Sequence, residues 1–213
     1  FEPAIHIVHN DGNPSTLLKY VSHTRNQVSP GVDEVVITMQ DDKYPVTVKL
    51  HYVAYQKENL IKTFTEISHR EKKPVHLNRA NYFLTEFSGD WASEAHVKEQ
   101  PLEFGKKTID TKLGARANMF CSPFFQLALD GKSEENQGEV LVGTLGWTGN
   151  FSFVFEVDNK NELRVISGIN PYASEYSLKP NEIFRTPDFY FTYSFKGKGQ
   201  ASRNFHDWAR KYQ

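Results

Sequence analysis

The sequence predicts an all-β protein: a large antiparallel sandwich with one helix at the C-terminal end. Three observations predict it. Apolar and polar residues alternate with period two through most of the chain, as on half-buried strands. Turn residues recur between these runs, and a single segment carries helical spacing. No strand-helix-strand alternation is present, which argues against a parallel sheet.

Segments 4–9 and 16–23 read as the first two strands, joined by Asn10-Asp11-Gly12-Asn13. Segment 33–40 follows, then the turn Asp41-Asp42 before Tyr44-Pro45. Val46, Val48, Leu50 and Tyr52 next share one face, with Thr47, Lys49 and His51 between them. Segments 59–68 and 75–87 are strand-like in their Val, Ile, Thr and aromatic content. Gly89 to Lys112 has the weakest periodicity and reads as an ordered excursion between strands, the kind of loop that carries function on a rigid sheet.

Segments 124–130 and 139–147 are separated by a polar loop from Lys132 to Gly138. Thr148-Gly149-Asn150 reads as a hairpin connection between two aromatic strands. The second of these alternates Phe151, Phe153, Phe155 and Val157 with Ser152 and Glu156. A polar turn at 158–161 leads to a strand at 162–169. Phe189, Phe191, Tyr193 and Phe195 form the last strand, set against Thr192 and Ser194. From Gly199 to Tyr212, Ala201, Phe205, Trp208 and Tyr212 recur at helical spacing. That stripe is expected to cover part of the sandwich and to leave apolar surface for a partner.

Composition removes several classes of function. The 213 residues carry 25 Lys+Arg and 26 Asp+Glu, a net charge of -1, so nothing favours a nucleic-acid partner. A hydrophobic fraction of 38% with 14% aromatics supports a sizeable core rather than disorder. No apolar run approaches the roughly eighteen residues of a membrane span. One cysteine, Cys121, excludes an intrachain disulfide. The chain opens at Phe1 in strand-like sequence and stops at Gln213 inside the helical pattern, so it reads as part of a larger protein. The compartment stays open between cytoplasm, which is favoured, and periplasm or export.

Most candidate chemistry dissolves on inspection. His6 and His9 lie i, i+3 on a strand, where the two rings diverge, and no third metal ligand stands at a usual spacing. Asp41-Asp42 and Glu134-Glu135 are adjacent in sequence, whereas glycosidase chemistry needs carboxyls facing each other across a bond. Cys121 lacks an activating neighbour and reads as a small packed residue. The Gly143, Gly146, Gly197 and Gly199 spacings match no phosphate loop; the last two read as freeing the backbone between the final strand and the helix. Trp147 and Trp208 sit in periodic runs and read as packing residues. Trp91 lies on the aperiodic excursion, where two readings stay open. Its indole can stack on a sugar or anchor a partner, or it can fold back over the sandwich edge.

Five stretches, in order, resemble the N-terminal domain of family-36 glycoside hydrolases, the retaining α-galactosidases. They are Gly89-Asp90-Trp91-Ala92-Ser93-Glu94, Gly138-Glu139-Val140-Leu141, Trp147-Thr148-Gly149-Asn150-Phe151, Gly168-Ile169-Asn170-Pro171-Tyr172 and Gly197 to Arg203. The resemblance covers nearly the whole chain. It implies a β-supersandwich over residues 1–198, and over 199–213 the start of a linker helix toward a (β/α)8 barrel. It also implies hydrolysis of terminal α-1,6-galactosides such as melibiose and raffinose, without metal or cofactor, through a covalent galactosyl-enzyme. Both catalytic Asp residues would lie in that barrel, so no catalytic residue falls in this chain and the chain alone is expected to be inactive. The implied partners are the barrel of the same polypeptide, a galactoside and further copies of the protein. Trp91 is the one substrate-binding residue the resemblance assigns here. A stand-alone carbohydrate-binding sandwich and a purely structural domain are the rival classes.

Overall fold

The computed structural model of the chain describes residues 5–71, 75–78, 86–90, 92–114, 120–129, 131, 133–160, 162–172 and 174–213. Every pair of named strands in it is antiparallel. An eight-stranded sheet forms the frame. It runs β10 (Phe124–Ala128), β11 (Val140–Gly146), β16 (Asp188–Ser194), β5 (Leu60–His69), β4 (Val46–Tyr55), β3 (Val32–Asp41), β2 (Leu18–Ser29), with β15 (Ile183–Arg185) also on β5. One three-stranded sheet consists of β13 (Leu163–Ile169), β12 (Phe151–Val157) and β9 (Gly105–Asp110). A second consists of β1 (His6–Val8), β6 (Val75–Asn78) and β14 (Tyr176–Leu178). A hairpin of β7 (Glu86–Asp90) and β8 (Ser93–Lys98) and the helix α1 (Gly197–Tyr212) complete the fold. Among the described residues no helix is long and apolar enough to cross a membrane.

Alternation along β11 shows how the layers stack. Leu145 belongs to, and Leu141 packs on, a core of Ile109, Phe125, Phe151, Phe153 and Phe155, which lies between the large sheet and the β9–β12–β13 sheet. Val140 and Val142 point the other way, onto Ala201 of α1. The phenylalanine rings meet edge-on, Phe125 with Phe153 at 5.4 Å and with Phe155 at 6.0 Å, a favoured aromatic geometry. Gly143 is required at their centre, because a Cβ there would meet the Phe125 ring at 2.4 Å. The β1–β6–β14 sheet covers the start of β4, where Ile7 and Leu178 pack on Val46, Val48 and Ile67. At the other end of β4 the opposite face is covered. Val53, Tyr55 and Leu60 pack there on Trp208 of α1.

Several sequence expectations change in this frame. The excursion from Gly89 to Lys112 is largely strand: β7 and β8 pair with each other, and β9 pairs along β12. Its weak periodicity reflects the exposure of β8, which has no buried face to impose alternation. The predicted strand 75–87 is seen as β6 and β7, with residues 79–85 between them outside the described set. Thr148-Gly149-Asn150 does not close a hairpin. β11 and β12 belong to different sheets, and this turn carries the chain across the core between them. Trp147 is no core residue: it is 38% exposed, and its indole N–H donates to the Asn150 carbonyl at 3.2 Å, capping the crossing turn. Trp208 is buried as expected, against Tyr55, Tyr190 and Tyr212. Phe205 and Tyr212 are half-buried, and the more exposed large apolar residues lie outside α1, among them Phe104, Phe195 just before the helix, Leu17, Ile183 and Val28.

The residues weighed for chemistry have structural employment. His9 is buried with its Nδ1 2.8 Å from Glu71, its Nε2 3.0 Å from Thr16 and its ring stacked on Tyr44. The Asp41 carboxylate accepts the backbone N–H groups of Lys43, Tyr44 and Leu17, closing the β3–β4 turn. Burial raises its pKa, and those N–H donors outweigh burial, so it stays below the usual carboxylate range. The carbonyls of Glu134 and Glu135 accept the N–H groups of Lys198 and Gly199 at the start of α1. Gly197, at φ +73°, and Gly199 are needed because that loop leaves no room for a Cβ.

Candidate functional site

The β7–β8 hairpin holds the Gly89 to Glu94 stretch singled out in the sequence. Phe87 pairs with Val97, Ser88 with His96 and Asp90 with Ser93, with a bulge at Gly89. The bulge explains the glycine: at φ +140° a Cβ would sit 2.2 Å from the Ser93 carbonyl oxygen. Ala92 (φ +62°) and Ala95 (φ +60°) both adopt the left-handed conformation, uncommon for residues with a Cβ and costly by about 1–2 kcal/mol each. The Glu94 carboxylate accepts the Ala92 N–H at 3.1 Å, and Ser93 Oγ lies 2.6 Å from His96 Nε2. Trp91, the one predicted substrate-binding residue, lies outside the described residues.

Both roots of the hairpin are anchored. The Ser122 N–H donates to the Phe87 carbonyl at 2.7 Å, and the Phe87 ring stands edge-on to Phe124 at 5.2 Å. Phe124 in turn meets Phe205 of α1 at 6.4 Å. At the other root, Glu99 forms an ion pair with Lys198 of α1 at 2.6 Å. Phe124 is opposite Thr144 in register, on the face where Val140 and Val142 meet α1. The hairpin and the helix therefore share one face of the large sheet.

The stretches around Trp147 and Asn170 form a knot of backbone ties. Buried Asn170 donates its Nδ2 to Asp110 Oδ2 at 3.1 Å and to the Thr111 carbonyl at 2.8 Å. Its Oδ1 accepts the Tyr172 N–H at 2.9 Å, and its own N–H donates to the Asn150 carbonyl. Asn150 Oδ1 accepts the Gly114 N–H at 2.7 Å. Asp110 is further held by Lys112 at 2.8 Å, and Lys112 lies over the exposed Tyr172 ring. The segments around Asp110–Gly114, Asn150 and Asn170 are thus tied together by the whole Asn170 amide and by Asn150 Oδ1. This stretch reads as a sequence motif, but its work is structural. Residues 108–113 with Phe120 and Cys121 line a cavity of about 340 Å³ beside it.

Sequence reasoning missed Glu99, Lys198 and His96. Glu99 and Lys198 stand 99 positions apart, and nothing in either neighbourhood announces the pair. No group of three or more His, Cys, Asp or Glu residues suited to a metal ion occurs among the described residues.

The comparisons with known proteins agree with this architecture. Residues 1–179 match the Glycosyl hydrolase family 36 N-terminal domain. The chain is 28% identical over 207 residues to the α-galactosidase AgaA of Geobacillus stearothermophilus, covering 92% of this chain and 27% of that protein. It is 26% identical over 233 residues to α-galactosidase 2 of Hypocrea jecorina, covering 99% of this chain and 31% of the relative. The crystal structure of the α-galactosidase from Lactobacillus brevis superposes with a TM-score of 0.90 at 25% identity, over 99% of this chain and 31% of that one. A variant of AgaA in complex with raffinose gives a TM-score of 0.90 at 25% identity, over 99% and 32% of the two chains. The chain thus spans about a third or less of the proteins it matches. It belongs to the N-terminal domain family of family-36 glycosyl hydrolases.

Proposed function

We propose that this chain is the non-catalytic N-terminal domain of an α-galactosidase acting on terminal α-1,6-galactosides of the melibiose and raffinose type. In this reading residues 1–198 form the supporting domain, and residues 199–213 begin a linker helix toward a (β/α)8 barrel that carries the catalytic carboxylates. Trp91 reaches the rim of the sugar pocket, and the domain contributes to assembly of the oligomer. One observation carries the proposal. The hairpin flanking Trp91 and the helix that would lead to the barrel share a face of the large sheet, tied by Phe87–Phe124–Phe205 and Glu99–Lys198. A residue there is on the side from which a barrel would be reached. The raffinose complex of a relative supports the substrate class.

The indole offers a flat apolar face to sugar C–H groups and an N–H donor to a hydroxyl. In the full-length enzyme, Trp91→Ala should cost about 1–3 kcal/mol of transition-state binding, with thermal stability little changed. Unchanged kcat/KM with a large loss of stability would make Trp91 a packing residue and sink the assignment. The chain alone should release no p-nitrophenol from the aryl α-galactoside, since its paired carboxylates are engaged in turns and loop contacts.

A further inference from the structure

We infer that the open end of the sandwich binds a small uncharged amphiphile through its aliphatic chain, at a site separate from the sugar pocket. A cavity of about 810 Å³ lies there, within the size range of small-molecule sites. Its origin is a change of side-chain size along the core. Phe151, Phe153 and Phe155 fill the space between the sheets, but β12 ends in Val157, and Leu127 stands on β10. The shorter side chains leave volume that the rings fill elsewhere.

The lining sets the ligand class. Leu127 and Val157, each 7% exposed, form the floor, while Leu129 and Leu163, 47% and 37% exposed, stand at the rim. Pro101 and Leu102 add further aliphatic wall. No aromatic residue is among the described lining residues, so they give a sugar no stacking face, whereas each methylene of an alkyl chain gains roughly fourfold in affinity on burial. The polar groups include Gln126 and the Glu99–Lys198 pair. A charged head of either sign would have to part the Glu99–Lys198 pair, whereas a hydroxyl can exchange hydrogen bonds with Gln126 and leave the pair intact.

The test uses the full-length protein containing this chain, with 1-octanol as probe, by isothermal titration calorimetry at saturating galactose. The expected result is one saturable site that galactose leaves unchanged, at least tenfold weaker in Leu163→Trp, with octanoate binding at least tenfold more weakly than octanol. Leu163 stands at the rim, so the bulky replacement fills the mouth without entering the core, and a thermal melt checks its fold. Leu127→Trp fills the floor as a second variant. Absence of saturable binding to the unaltered protein, displacement by galactose, or undiminished binding in both variants would overturn the proposal. Equal binding of octanoate would overturn the uncharged head.

Discussion

The two ends of the eight-stranded sheet are made of similar strands and live in opposite surroundings. At the β10–β11–β16 end, α1 covers one face and the β9–β12–β13 sheet covers the other, so Val140, Val142 and Leu145 are all buried. At the far edge, β2 runs for twelve residues with Leu18 half-buried and all the others exposed. Tyr20, Val21 and Val28 are 50–61% exposed there. Beyond Leu18, which packs on the Ile7–Val46 core, β2 is held mainly by strand pairing, and its only charges are Lys19 and Arg25, each beside an Asp, Asp42 and Asp33. The difference teaches that a place in the sheet and a place in the core are separate properties. Backbone pairing sets the first, and covering layers set the second.

The largest effects should fall at the covered end. Phe153→Ala removes a fully buried ring from the centre of the phenylalanine core and should cost about 3–5 kcal/mol of stability, read by chemical denaturation. A loss under about 1 kcal/mol would mean that this core collapses around the gap and is not closely packed.

An intermediate effect is expected where β1 and the following turn are pinned. Burial raises the Glu71 pKa, but hydrogen bonds from His9 and from the Asn10 N–H and side chain overcome it, so the carboxyl titrates below its ordinary value. A depressed folded pKa adds stability that is fully present above the unfolded value, near 4.3, and is lost as pH falls through the folded value. Glu71→Gln should therefore cost about 1–3 kcal/mol at neutral pH and progressively less below about pH 4. A deficit that stays constant across that range would remove the carboxylate's charge from the account.

The smallest effect belongs to the uncovered edge. Val28→Thr, at a position 61% exposed, should change stability by no more than about 0.5 kcal/mol. A cost near that of Phe153→Ala would show that β2 is covered in the intact protein, and the contrast between the two ends would then be a property of the isolated chain.

How much was legible follows the same division. Strands whose covering layer runs their whole length, such as β12, announce themselves. The second half of β2, Thr24 to Ser29, was missed because Arg25, Asn26 and Gln27 interrupt any apolar alternation, and with no residue of it buried nothing imposes one. The hairpin around Trp91 was legible only as an anomaly. Its glycine is explained by a bulge, and the bulge is visible only once Ser93 is opposite Asp90.

By itself the sequence determined the all-β class, the antiparallel pairing, the single helix and the buried place of Trp208, because these follow from periodicity and turn chemistry within short windows. Which face of each strand is covered was decided by the tertiary structure. Along β4 the covered face switches, from Val46 and Val48 under the β1–β6–β14 sheet to Val53 and Tyr55 under α1, which leaves Tyr52 at 41% exposure despite its place in the alternation. Along β16 the apolar set emerges into solvent at Tyr193 and Phe195, while Thr192 and Ser194 are 1% and 3% exposed. Thr192 is tolerated there because its hydroxyl accepts the Asn204 side-chain N–H from α1 and donates to the Asn59 carbonyl. The physical reason is range. Alternation records that a strand has two faces, whereas burial depends on which distant segment lands on each of them, and that information is spread over the whole chain.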